Sequence, residues 1–237
     1  MNFIESFKSM YDVGARCSLL PCTLGSVAIK ESDPGSNFTD LILQKSGINF
    51  CGFSSALLKN LSQMTSVRSS YLKDFDCDGT VIYKDASNDE HNLLFVELKS
   101  TFDTEKINHA LNQVVYSFFK FYCISSVCEH FSLDDFSIHF IIACQNFNGI
   151  VAKAGATHRI AEYSELYPQN PLFSLLRKVV IDANDETSIN VKMKDLFLEV
   201  NKFVDEMPIN PALKDKNITL TLKRTNQYGD STATMNL

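Results

Sequence analysis

The chain has no apolar run approaching the ~20 residues that a bilayer-spanning helix needs. Nor does it open on a charged stretch followed by an apolar one. A cytoplasmic protein without a membrane partner is the expectation. A Gly-x-Ser-x-Gly elbow is missing, which leaves a serine hydrolase unsupported, and no glycine-rich loop is present to cradle phosphate. Internal repeats, low-complexity tracts and convincing linkers are also lacking, so one domain is expected. Basic residues are outnumbered: 22 Lys and Arg stand against 28 Asp and Glu, for a formal net charge of −6. That balance excludes a uniformly basic surface for tracking nucleic acid, because phosphate-backbone binding is driven by positive charge. Cysteines do not pair by number. The seven, at Cys17, Cys22, Cys51, Cys77, Cys123, Cys128 and Cys144, are scattered, which fits buried thiols in a reducing compartment better than a secreted disulfide framework. Their spacing is loose for zinc, and the five histidines show no metal-ligand interval.

What is present is core-forming material: 237 residues, 45% hydrophobic, with 18 Phe. Apolar periodicity and turn residues predict a short helix over residues 2–13, mixed turn and strand over 18–30, and a loop over 31–38 around Asp33-Pro34-Gly35-Ser36. Short helices are expected over 39–44 and 54–64, the second with Leu57, Leu58 and Leu61 on one face. A long helix over 104–122 follows from Ile107, Leu111, Val114 and Phe118. A buried strand is expected over 136–144, helix or strand over 172–181, an amphipathic helix over 191–204 and a strand over 218–222. Residues 225–237 are polar without periodicity and are expected to fray.

The most informative stretch lies between these elements. Val81 to Tyr83 and Leu93 to Val96 read as two strands of a hairpin, joined by the turn-forming residues 84–90. With the turn centred near Asn88, Asp78 falls across from residues 97–99, so its carboxylate meets Glu97 and Lys99 at one end of the hairpin. Glu97 and Lys99, two apart on a strand, share a face. On the following helix, His109, Gln113, Tyr116 and Lys120 make a polar stripe opposite the apolar one.

An Asp opening one strand, Glu-x-Lys closing the next and an amphipathic helix thereafter resembles the PD-(D/E)xK nuclease superfamily, over about residues 74–145, with Cys77 where that pattern often has proline. Gln113 and Tyr116 are similar to the Gln-plus-Tyr helix of its exonuclease branch. The resemblance implies an α/β fold, a central mixed β-sheet flanked by helices with a restriction-endonuclease-like αβββαβ core. That core would lie at about residues 39–145, within one domain of residues 1–227 whose C-terminal elaboration is 146–227, leaving 228–237 as a flexible tail. It implies a Mg²⁺ ion, replaceable by Mn²⁺, held by Asp78, Glu97 and the Leu98 carbonyl. Lys99 would stabilise the attacking hydroxide or the transition state, and Gln113 would orient substrate or water. Glu31 and Asp40 are the candidates for a further acid ahead of the hairpin. The implied activity is phosphodiester hydrolysis, of DNA before RNA, as a defence or restriction effector acting in a homo-oligomer or with a protein partner. An inactive scaffold or nucleic-acid-binding subunit of the same fold is the competing class.

Two further patterns bear on this reading. Asp74-x-Asp76-x-Asp78-Gly79 matches the opening of a calcium-binding loop, but its twelfth position is Asp85 and its ninth is Ile82. Local basic stripes for a nucleic-acid backbone are available at Lys99, Lys106 and Lys120, or at Lys214, Lys216, Lys223 and Arg224.

Overall fold

A computed structural model describes residues 3–11, 23–31, 33–53, 75–85, 91–181, 185–198 and 202–237. The elements are α1 (Phe3–Tyr11), β1 (Thr23–Lys30), β2 (Asp40–Phe53), β3 (Gly79–Lys84), β4 (His91–Lys99), α2 (Thr104–Ser125), β5 (Phe136–Cys144), α3 (Gly149–Leu166) and α4 (Pro171–Ile181). They continue with β6 (Glu186–Lys192), β7 (Phe197–Leu198), β8 (Lys202–Phe203), α5 (Pro211–Lys214), β9 (Asn217–Arg224) and β10 (Thr232–Asn236).

Among the described residues, eight strands form one sheet in the order β1-β2-β3-β4-β5-β9-β6, with β10 paired to β2. β3 and β4 are antiparallel with Gly79 opposite Val96, and β4, β5 and β9 run parallel. The parallel step from β4 to β5 requires a crossover, which α2 supplies. The fold is therefore α/β, a large mixed sheet flanked by helices.

Both faces of the central strands are buried, and β4 shows how its sequence is divided. Leu93 and Phe95 join the cluster built with α1, α2 and α4, while Leu94, Val96 and Leu98 join the second cluster with Ile29, Leu41 and Phe50 from β1 and β2. A strand covered on both faces reads as a near-continuous apolar run. Glu97 and Lys99, in phase with Leu93 and Phe95, consequently project toward α2. On that side, Phe95, Phe118 and Phe140 pack edge to face with centroids 5.8–6.0 Å apart, locking α2 onto β4 and β5. The helix begins where Asp103 Oδ1 accepts the Glu105 N–H at 2.9 Å, a side-chain cap for an otherwise unpaired donor.

Several expected elements differ. Of residues 39–44, Asp40 to Gln44 lie in β2 rather than in a helix: Leu41 and Leu43 are fully buried with half-buried Ile42 between them and exposed Gln44 beyond, a period of two that six residues alone cannot separate from a helical turn. Of the expected helix over 191–204, the described residues form instead the end of β6, a tight 3₁₀ turn at Met193–Asp195 and the paired strands β7 and β8, while residues 199–201 lie outside the described ones. The spacing that suggested a helix comes from that turn, which buries Met193 and Leu196 three residues apart. The tail is not loose either, since β10 pairs parallel with β2 and buries Ala233 and Met235. α3 matches no expected element because it buries only Ala156 and Ile160 and so carries no apolar stripe. Residues 172–181 fall within helix α4. Cys51 is disulfide-bonded, which departs from the expectation of reduced thiols, while Cys77, Cys123, Cys128 and Cys144 are free. The expected helix over 54–64 and the turn centre at Asn88 lie outside the described residues. No helix among the described residues is long and apolar enough to cross a membrane.

The integration of β10 has a measurable consequence. Truncation before Thr232 should lower unfolding stability by about 2 kcal/mol or more, from exposing Met235, Ala233 and the β2 surface they cover. Denaturant titration checks this, and an unchanged midpoint would return residues 232–237 to the status of a dispensable tail.

Candidate active site

The residues ahead of β3 are held by one face of α2. Gln113, Ser117 and Lys120 stand at helical intervals of four and three, which places them one above another on the same side. Gln113 Nε2 donates to the Asp76 carbonyl at 3.1 Å, and the Cys77 N–H donates to Ser117 Oγ at 2.8 Å. Lys120 Nζ donates to the Phe75 carbonyl at 3.0 Å and to Asp76 Oδ1 at 2.8 Å. Three polar side chains thus hydrogen-bond the backbone of residues 75–77, which pairs with no strand among the described residues. The Lys120 side chain is fully buried and that of Asp76 is 7% exposed, so the ion pair is a dry one.

Asp78 follows directly. β3 begins at Gly79, so among the described residues β4 has no ladder partner on that edge beyond Val96, and the Leu98 N–H donates to Asp78 Oδ2 at 2.8 Å instead. A strand residue presents its N–H and C=O to the same side, so the Leu98 carbonyl also faces the side occupied by Asp78. The Asp78 N–H in turn donates to Glu97 Oε2 at 3.1 Å. Lys99 Nζ donates to Glu97 Oε1 and, at 2.7 Å, to Gln113 Oε1. Gln113 therefore bridges the amine and the Asp76 backbone.

Asp78, Glu97, Leu98, Lys99 and Gln113 all line one cleft of about 670 Å³. Glu31, at the end of β1, lines it as well, and its charge acts on both Asp78 and Glu97, whereas Asp40 does not border it. β1 can come this close because residue 79 is glycine: a Cβ there would meet Ile29 Cδ1 at 2.6 Å. Burial pushes the Glu97 carboxyl up to about 8, with the charge of Asp78 adding to the rise and Lys99 opposing it. Burial likewise raises Asp78 to about 6, partly offset by the Leu98 hydrogen bond. The neighbouring Cys77 thiol is pushed up to about 12 by burial and stays neutral, adding no third negative charge.

The donor chemistry suits Mg²⁺, a hard cation that takes oxygen ligands and commonly uses one or two carboxylates while keeping several waters. Two acids held close at an energetic cost when both are ionised would gain most from a divalent cation. Among the described residues, no three His, Cys, Asp or Glu side chains converge as a metal-binding group. Asp78, Glu97 and the Leu98 carbonyl are the oxygens available, with Glu31 at electrostatic range.

Other expected assignments change. Tyr116 is fully buried, with its ring 5.7 Å from that of Phe75, so it does not face the cleft. Lys120 belongs to the core and is not a phosphate contact. The second expected stripe is dispersed: Lys223 pairs with Glu186 at 3.5 Å, Arg224 is 5% exposed, and Lys214 donates to the Asp205 carbonyl. The cations bordering the cleft are Lys30, Lys99 and Lys106. Asp76 is turned toward Lys120 and residues 79–84 form β3, so this region lacks the geometry of a calcium loop entering a helix; Asp74 lies outside the described residues. Ser117 was not singled out from the sequence, although its interval from Gln113 and Lys120 is the available signal. Compared with family models, curated proteins and solved structures, the chain matches none.

Lys120→Met should destabilise the fold by about 3–5 kcal/mol, since it leaves Asp76 buried without its counter-charge, and chemical denaturation measures this directly. A second outcome concerns pH. In cation-free protein the folded state keeps the Glu97 proton up to about 8, whereas an unfolded chain releases it near 4.5. Within that window the unfolded state binds fewer protons, so stability falls as pH rises and levels off above it. Thermal melts in EDTA should show this slope, and Glu97→Gln should flatten it. Because Mg²⁺ must displace those protons, the melting-temperature gain from Mg²⁺ should grow between about pH 6 and 8. A gain independent of pH would count against binding at this pair.

Proposed function

We propose that the protein is a metal-dependent phosphodiester hydrolase of the PD-(D/E)xK type, acting on nucleic acid, with DNA the first substrate to test. The supporting observation is convergence: Asp78 ahead of β3, Glu97 and Lys99 at the end of β4 and Gln113 from α2 meet at one cleft. The order β2-β3-β4-α2-β5 parallels the βββαβ portion of the core expected for that superfamily. Phosphodiester hydrolysis adds a hydroxide to phosphorus, breaks one ester P–O bond and leaves an alkoxide that takes up a proton from solvent. Negative charge accumulates on the phosphoryl oxygens meanwhile. A divalent ion bound by Asp78, Glu97 and the Leu98 carbonyl supplies Lewis acidity and an acidified water.

The protein's own residues account for the remainder. Lys99 is a fixed cation whose position is set by Glu97 on one side and Gln113 on the other, so it can stabilise an attacking hydroxide or the transition-state charge without reorganising. Gln113 is a positioning residue, carrying the anchorage of the Asp76 backbone to the amine. Lys30 and Lys106 at the rim are placed to meet the substrate's phosphates, which accommodates nucleic acid on a chain of net negative charge. Assembly with a protein partner or further copies of the chain would add the affinity that so small a basic rim withholds.

Plasmid or oligonucleotide cleavage with Mg²⁺ or Mn²⁺ tests the reading. Lys99→Ala should lower turnover by roughly 10²-fold or more while metal binding persists. Glu97→Ala should abolish both, as calorimetry would register. Wild-type and variant proteins that behave alike, on DNA and on RNA, would leave a scaffold in place of an enzyme.

A further inference from the structure

A second pocket, about 290 Å³ in volume, adjoins the cleft, with Glu105 bordering both. One wall is aromatic. Tyr163 of α3, Tyr167 just past its end and Phe173 of α4 lie with interplanar angles of 12–24° and centroids 5.5–6.3 Å apart, so their faces are nearly parallel. Tyr167 is 39% exposed and continues toward Phe197, which also lines the pocket. Polar residues line the pocket as well, Thr104, Asn108 and Asn170 among them. Thr104 and Asn170 are each 3% exposed. Among the described residues, Thr104 Oγ1, Asn108 Oδ1 and Asn170 Nδ2 have no hydrogen-bond partner. Asn170 Oδ1 accepts the Leu172 N–H at 3.0 Å, which leaves only its amide nitrogen to donate.

Unpaired buried polar atoms are costly, and three around one cavity specify what would relieve them. The ligand needs a flat face for the aromatic wall and an edge carrying an acceptor for Asn170, a donor for Asn108, and either for Thr104. That combination is the edge of a nucleobase, read by hydrogen bonds while its face stacks on aromatic side chains. An aliphatic ligand would leave the polar wall unpaired, and a phosphate would meet the Glu105 carboxylate at the border. We propose that this pocket is a nucleobase-binding subsite that takes one base of the strand whose phosphates occupy the cleft. The strand's presence there rests on the hydrolase reading; the affinity for a base does not.

The test uses fluorescence of 2-aminopurine, which stacking quenches, in a protein that contains no tryptophan. Single-stranded oligonucleotides carrying one 2-aminopurine, and free 2-aminopurine riboside, are titrated with protein in EDTA so that nothing is cut. Saturable quenching of the oligonucleotide is expected. Tyr167→Ala should weaken it about tenfold through loss of stacking. Asn170→Asp should weaken it by a similar factor while retaining the oxygen that caps Leu172, with circular dichroism and the unfolding midpoint reporting whether each variant folds. Absence of quenching, identical titrations for wild type and two folded variants, or quenching of the riboside alone would overturn the subsite. Quenching without Mg²⁺-dependent cleavage would remove the hydrolase reading and keep the subsite. Cleavage with unchanged 2-aminopurine emission would do the reverse.

Discussion

The buried ion pair between Lys120 and Asp76 is the constraint on which the candidate site depends. An ammonium in a dry environment tolerates burial only with an opposite charge and hydrogen-bond acceptors, and here it donates to Asp76 Oδ1 and to the Phe75 carbonyl. That requirement draws the segment ahead of β3 onto α2, where Ser117 and Gln113 take up the next two backbone groups. Asp78 then has little choice of position, because its neighbours on both sides are anchored: Cys77 to the helix and Gly79 to the β4 ladder.

The same arrangement creates the electrostatic tension of the cleft. Desolvation raises both Asp78 and Glu97; the charge of Asp78 adds to the rise of Glu97, whereas a hydrogen bond from Glu97 favours the ionised form of Asp78. Lys99 relieves this in part, but the pair remains under-compensated, with Glu31 adding to the field. A fold built only for stability gains little from two such neighbouring acids, Glu97 buried and Asp78 half-buried. A cation site gains from them, and the rigid supports around Lys99 supply the preorganisation that charge stabilisation needs.

α2 is the element with two outlooks. One face, through Gln113, Ser117 and Lys120, secures the proposed catalytic segment, and its first turns, through Thr104 and Asn108, furnish the polar wall of the aromatic pocket. Glu105 stands between the two. The cleft and the pocket therefore share α2 as part of their lining.

The β3–β4 pairing, the shared face of Glu97 and Lys99, the length of α2 and the strand character of β5 were legible from the sequence, because each follows from the period of apolar residues or from alternation along a strand. Asp78, Glu97 and Lys99 could be grouped for the same reason, whereas Gln113 was one of four residues on a polar stripe and joined them only through the family resemblance. What only the tertiary structure decided was which polar residues face water. Tyr116 and Lys120 fall on the stripe that helical period marks as polar, yet they are buried, because the far side of α2 is covered by the segment it grips and by elements distant in sequence. β10 and β2 were likewise hidden: strand pairing joins residues nearly two hundred positions apart, and no local pattern encodes a partner at that distance. Local periodicity reports a residue's direction relative to its own backbone, whereas burial depends on what the rest of the chain places in that direction.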